Sequence, residues 1–178
     1  MIHNFISHSL ISVFQQSSLR VLRQSQCRFN SSSTSLKDVV ILGTARTPMG
    51  SFRGGLSQLS APKLGAIAIQ AAIERSGIAK EDVQEVYMGN VIQAGLGQAP
   101  ARQATLLAGL SKTTPATTVN KVCASGMKAI MLAAQNLQTG QQNVMVAGGM
   151  ESLSNVPYYL PRGETPYGGM KLLVSLKI

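Results

Sequence analysis

The stretch TTVNKVCASGMKAIMLAAQNLQTGQQNVMVAGG, residues 117–149, decides the fold class. Thr117-Thr118-Val119 is a short, β-branched run of the kind that forms a strand. From about Val122 to Leu137 the apolar positions Met127, Ile130, Ala134 and Leu137 recur at helical spacing, and Gly140 follows as a stop. Val144-Met145-Val146-Ala147 is apolar on both faces and runs into Gly148-Gly149. A strand, a helix and a fully apolar strand in succession are the unit of a sheet covered on both sides.

The same alternation extends toward the N-terminus. Val39-Val40-Ile41-Leu42, ending at Gly43, reads as a buried strand, and Thr47-Pro48 with Gly50, Gly54 and Gly55 as the loop after it. Ser60 is placed to cap a helix that has Pro62 in its first turn, passes through Leu64, Ile67, Ala68 and Ala71, and stops near Gly77. Glu85 to Ile92 reads as another strand and residues 100–108 as a short helix. The expected class is therefore α/β: a mixed sheet with helices on both faces. Beyond Gly149 the pattern weakens, and residues 155–169, rich in Pro, Gly and Tyr, read as loop.

The chain has 178 residues, of which 44% are hydrophobic, enough for one domain with a core. Its formal charge of +9 is uneven, because no acid precedes Asp38. Residues 1–35 carry Arg20, Arg23, Arg28 and many serines, and Ile2, Ile6, Leu10 and Phe14 recur at helical spacing. Arginine, serine, amphipathicity and missing acids describe a mitochondrial transit peptide, cut near Arg28 to Ser35, and point to the mitochondrial matrix. A secretory signal fits less well, since its basic residues would precede the apolar part. Three segments follow: 1–35 the leader, 36–152 the domain, and 153–178 a loop start with a tail.

Several function classes are disfavoured. No basic run is interleaved with aromatics, which argues against nucleic acid as a partner. No apolar stretch is long enough for membrane insertion. His3, His8 and the cysteines give no metal-ligand spacing. Gly95-Leu96-Gly97 begins like a dinucleotide fingerprint, but Pro100 follows and no acid stands at the required distance. Glu151 reads more readily as a loop or helix-start carboxylate than as a catalytic group, Met127 and Met131 as core, and Tyr158 and Tyr159 as surface packing.

With Cys27 in the leader, Cys123 is the only cysteine of the domain. It sits where a strand gives way to a helix. Backbone N–H groups at a helix start lack partners and the helix dipole is positive there, which favours a thiolate and an oxyanion alike. Ala124, Ser125 and Gly126 are small enough for a bulky thioester to approach. From position and neighbours alone, a nucleophile and a buried structural cysteine stand as equal readings. The domain also lacks a histidine to serve as base.

Asn120-Lys121-Val122-Cys123-Ala124-Ser125-Gly126-Met127-Lys128-Ala129 resembles the segment around the acylated cysteine of the thiolase family, and Val146-Ala147-Gly148-Gly149-Met150-Glu151-Ser152 resembles its second N-terminal signature. Ala45-Arg46-Thr47-Pro48, Gly50-Ser51-Phe52, Tyr87-Met88-Gly89-Asn90-Val91 and Gly97-Gln98-Ala99-Pro100-Ala101-Arg102-Gln103 add to the match, which runs from about Leu36 to Leu172. The resemblance implies the N-terminal half of the layered thiolase fold without its C-terminal half. It implies acyl transfer: an acetyl group passes from coenzyme A to Cys123, whose backbone N–H joins an oxyanion hole, and a second acetyl-CoA then gives acetoacetyl-CoA. The reverse reaction serves ketone-body and isoleucine degradation. Coenzyme A thioesters are implied as substrates with no covalently held cofactor, and a homo-oligomer, dimer or tetramer, is implied as the assembly. Lys121-Val122 and Ala124 lean toward the acetyl-specific branch over the longer-chain 3-ketoacyl branch. Family members are roughly twice as long, and their Gly-His-Pro and Cys-x-Gly-Gly-Gly motifs, which hold the base and a second cysteine, do not occur in residues 1–178. After Leu172 the pattern departs from the family, which reads as a truncated form, inactive by itself or serving as a non-catalytic fragment that binds full-length subunits.

Overall fold

In a computed structural model of the chain, residues 8–16, 36–160, 162–163, 169 and 172–174 are described. The elements in order are β1 (His8–Gln16), β2 (Val39–Arg46), α1 (Ala61–Ser76), β3 (Glu85–Gly89), α2 (Pro100–Leu107), β4 (Ala116–Val119), α3 (Ser125–Thr139), β5 (Val144–Glu151), β6 (Tyr158–Tyr159) and β7 (Leu173–Val174). Single 3₁₀ turns lie at Lys80–Asp82 and Leu153–Asn155.

The main sheet has the order β2-β1-β5-β3-β4. β3 runs parallel to both β4 and β5, whereas β1 is antiparallel to both β2 and β5. Strands β2 to β5 therefore all point one way and β1 alone opposes them, which makes the sheet mixed, as the sequence led us to expect.

Strand alternation sorts the side chains onto two faces. Ile11, Val13, Val86, Met88, Val144 and Val146 join one buried cluster with Ala68, Ile69 and Ala72 of α1 and Ala101 and Ala104 of α2. Phe14, Met145 and Ala147 join Ala133 and Leu137 of α3 in a second cluster on the opposite face. The sheet is thus covered on both sides, the reason β5 reads as an unbroken apolar run.

Local signals hold where they are backbone-encoded. Pro62 lies in the first turn of α1, and Gly77 ends it with φ +73°, its N–H donating to the Glu74 carbonyl. Ser60 is the N-cap residue, but its side chain makes no capping bond; its carbonyl accepts from the Leu64 N–H at 3.1 Å.

Packing overrides the sequence reading at several places. Leu10 and Phe14, read on a helical stripe, lie in strand β1, while Ile2 and Ile6 fall outside the described residues. A strand wins because it completes hydrogen-bond ladders on both sides at once and places Ile11 and Val13 at 0% exposure. Each such burial is worth roughly 1.5–3 kcal/mol, more than a local helical preference. On α3 the buried positions are Ser125, Ala129, Ala133 and Leu137, and Met127 and Met131 face solvent at 62% and 49% exposure. The helix turns its small residues inward because it lies close against the sheet. Ile67 of α1 is likewise exposed. β3 stops at Gly89, short of Ile92, and β5 continues through Gly148-Gly149 to Glu151. Within 155–169, read as loop, Tyr158–Tyr159 forms a two-stranded ribbon with Leu173–Val174.

Replacing Ile11 with Ala should lower the unfolding free energy of the full chain by about 2–5 kcal/mol, a large-to-small core loss. Gln15→Ala, at an exposed position of the same strand, should stay within about 0.5 kcal/mol. Chemical denaturation of both variants checks this, and an Ile11→Ala chain as stable as the parent would remove β1 from the core.

Candidate active site

Because β2 to β5 share a direction, their carboxyl ends lie along one edge of the sheet, where open α/β sheets place their ligands. Asn90 and Val91 follow β3 there, Asn120 to Cys123 follow β4, and Glu151 closes β5. A polar groove lined by Glu81, Val83, Gln84, Ser111, Thr113, Thr114 and Gln142 lies at the opposite, amino edge and is not lined by Cys123.

Cys123 is a free thiol and is exposed. Of the two readings left open by its position, burial is excluded. The residue stands two positions before Ser125, the first residue of α3, with Ala124 as N-cap; no side chain caps the helix and no acid occupies its first turn. The positive end of the helix therefore meets no internal anion.

The turn that presents the thiol is strained. Val122 has φ +49°, a left-handed conformation in which a β-branched residue is an outlier costing on the order of 1–3 kcal/mol. Four bonds hold it. The Val122 N–H donates to Asn120 Oδ1 at 3.1 Å. The Val122 carbonyl accepts from the Ser125 N–H at 3.0 Å and from the Ser125 hydroxyl at 2.6 Å. Ser125 Oγ in turn accepts from the Lys121 N–H at 2.8 Å. Ser125, 3% exposed, is thus the buried clasp of the turn.

Three glycines let α3 seat this turn. A Cβ on Gly89 would lie 2.5 Å from the Gly126 nitrogen and collide with the Ser125 carbonyl carbon, and one on Gly149 would lie 3.1 Å from Gly126 Cα. Only backbone fits between β3, β5 and the first turn of α3.

Glu151 reaches the same turn through hydrogen bonds. Its carboxylate accepts from the Val91 N–H at 2.8 Å and from Asn90 Nδ2 at 3.0 Å. Asn90 Nδ2 also donates to the Met150 carbonyl at 3.1 Å. The Val91 carbonyl accepts from Asn120 Nδ2 at 3.2 Å, and Asn120 holds Val122. A continuous path therefore runs from Glu151 through Val91 and Asn120 to the residue before Cys123. Burial pushes the Glu151 carboxyl above its ordinary pKa, and the N–H groups of Val91, Ile92 and Ser152 with the Asn90 amide pull partly the other way. Glu151 thus closes a strand and belongs neither to a loop nor to a helix start. Asn90, 1% exposed, leaves its Oδ1 buried without a partner.

The sequence singles out Cys123 but not the roles of Ser125, Asn90 or Asn120. A signal existed: a polar side chain immediately after an apolar strand, as at Asn90 and Asn120, marks a carboxyl edge. The backbone of His8 stands opposite Glu151 in the β1–β5 register, and His3 lies outside the described residues. Among the described residues no group of three or more His, Cys, Asp or Glu is arranged to hold a metal ion.

Residues 39–173 match the family described as thiolase, N-terminal domain. The chain belongs to the thiolase family. It is 65% identical over 155 residues to acetyl-CoA acetyltransferase A, mitochondrial, of Xenopus laevis, covering 87% of this chain and 37% of the relative. It is 67% identical over 141 residues to acetyl-CoA acetyltransferase, mitochondrial, of Homo sapiens, covering 79% of this chain and 33% of the relative. The structure of Acat5 thiolase from Ascaris suum in complex with coenzyme A is similar with a TM-score of 0.74 and 46% identity, over 76% of this chain and 36% of that one. The chain thus spans about a third of the length of the thiolases it matches, not the half inferred from its motifs. The thiolase N-terminal domain contains the whole carboxyl edge described above, and β1 lies outside it.

Gly89→Ala should destabilise the chain by about 1–3 kcal/mol, since the clash is with backbone that cannot swing aside; thermal unfolding reads the loss, and an unchanged midpoint would contradict the seating of α3. For Glu151 the sign is set by its raised pKa. The folded state favours the protonated acid, so this contribution is complete below the ordinary value of 4.5 and is lost as pH rises through the folded pKa. Urea unfolding from acid to neutral pH should show that decline in the parent and not in Glu151→Gln; parallel profiles would refute it.

Proposed function

We propose that this chain carries the acyl-accepting part of an acetyl-CoA C-acetyltransferase site, with Cys123 as the nucleophile. The observation that carries the reading is an exposed free cysteine, raised on a strained turn at an acid-free helix start, at the carboxyl edge of the sheet. The Cys123 sulfur attacks the thioester carbonyl, a carbon–sulfur bond forms, and coenzyme A leaves as its thiol with the proton from Cys123. The negative charge on the carbonyl oxygen is met by the Cys123 backbone N–H and the positive helix end. Ser125, Asn120 and Glu151 position the turn without touching the reacting atoms.

The relatives' names support acetyl over longer acyl groups and support a mitochondrial setting. We place the protein in the mitochondrial matrix, with residues 1–35 as the leader. Condensation with a second acetyl-CoA needs a base to remove its α-proton. The polypeptide 1–178 alone carries neither the Gly-His-Pro nor the Cys-x-Gly-Gly-Gly motif, and each absent acid–base group costs roughly a hundredfold to ten-thousandfold in rate. A second reading, that the chain docks on a longer thiolase subunit, is favoured by exposed apolar side chains at Met127 and Met131 of α3 and Val40 and Ile41 of the edge strand β2.

Incubating the full chain with acetyl-CoA should give an acetyl adduct on Cys123 by mass spectrometry, absent in Cys123→Ser, with negligible acetoacetyl-CoA formed. No adduct on the folded parent protein would overturn the assignment.

A further inference from the structure

Residues 8–16 face two incompatible demands. Composition marks 1–35 as a segment to be cut away, yet the fold uses 8–16 as an interior strand. β1 pairs with eight residues of β5 on one side and seven of β2 on the other, with one bulge between Val13 and Phe14. Among the described residues it is the only strand hydrogen-bonded to β2, so without it β2 loses its ladder to the rest of the sheet.

The space that β1 fills is built by the rest of the chain. Ile11 and Val13 enter the cluster under α1, and Phe14 enters the cluster under α3. Both walls, β2 and β5, lie within the matched thiolase domain at 39–173, and the occupant does not. The occupant suits an interior slot: HSLISVFQQ contains no Lys, Arg, Asp or Glu, although the arginines of the leader follow closely at Arg20, Arg23 and Arg28. Among the described strands of the main sheet it is also the one that runs against the others.

We propose that the space between β2 and β5 is an acceptor site for a separate antiparallel strand, and that residues 8–16 fill it as an in-chain donor exchangeable for a free segment of the same chemistry. That chemistry is an uncharged extended segment with apolar side chains at the positions of Ile11, Val13 and Phe14. Main-chain ladders on both edges supply affinity, and the two apolar walls set register. Cutting the leader then does not by itself release β1; removal of the strand and integrity of the sheet are coupled. The inference is independent of acylation at Cys123.

The test uses the full chain with a specific protease site inserted between Arg28 and Ser35. After cleavage under native conditions, the N-terminal fragment should co-elute with the domain on size exclusion. A labelled peptide of residues 8–16 should replace it, while the same peptide carrying Val13→Asp should not. Hydrogen exchange at 39–46 and 144–151 should stay slow while either strand is bound. Release of the fragment with protection of both strands unchanged would overturn the proposal. If protection is lost as the fragment leaves, added peptide must restore it, and failure to do so overturns the proposal as well. A retained fragment that never exchanges with peptide, even after unfolding and refolding in its presence, also counts against it.

Discussion

The first turn of α3 rests directly on the backbone of β3 and β5, with no side chain between them. Gly89, Gly126 and Gly149 make this contact possible, since a Cβ on Gly89 would intrude into the helix backbone. Much of the domain's design follows from that approach. A helix held so near a sheet must turn alanines and a serine inward, so Ala129, Ala133 and Ser125 are buried while Met127 and Met131 are not. The same approach forces the link from β4 into a tight turn, and the tight turn puts Val122 at positive φ.

Strain at Val122 is sustained because its surroundings over-determine it. Ser125 clasps the turn from below, Asn120 from within, and Asn120 is itself anchored to Val91 and through it to Glu151. The carboxylate closing β5 therefore acts at a distance on the residue beside the thiol. Its burial carries an electrostatic cost, visible in its raised pKa, and the hydrogen bonds it accepts from Val91 and Asn90 offset part of that cost. An exposed cysteine and a half-buried carboxylate thus belong to one mechanical assembly.

The interior strand β1 raises a different issue. A parallel set of four strands is split by one antiparallel strand drawn from a segment whose composition signals removal. Sheet edges are costly when left unpaired, and β1 satisfies two of them together. The composition that reads as a leader and the strand β1 belong to the same residues.

Much of the architecture was legible in residues 117–149 and in the runs at 39–42 and 85–92, because apolar periodicity and glycine stops are local signals that packing reinforced. Cys123 was legible for the same reason: its place between a strand and a helix is a one-dimensional fact. Three things were not. Residues 8–16 became a strand, against their helical spacing, because two ladders and two apolar walls outweigh local preference. The outward placement of Met127 and Met131 on α3 was misjudged, though not the burial of Leu137, because small side chains fit where the first turns of the helix approach the sheet most closely. The network joining Glu151, Asn90, Asn120 and Ser125 unites residues up to 61 positions apart, and no periodicity encodes such a meeting. The order of residues determined which elements form and where Cys123 stands between a strand and a helix; the tertiary structure alone decided which segment lies between β2 and β5 and what holds the Cys123 turn in place, since both depend on contacts between segments that are distant in sequence.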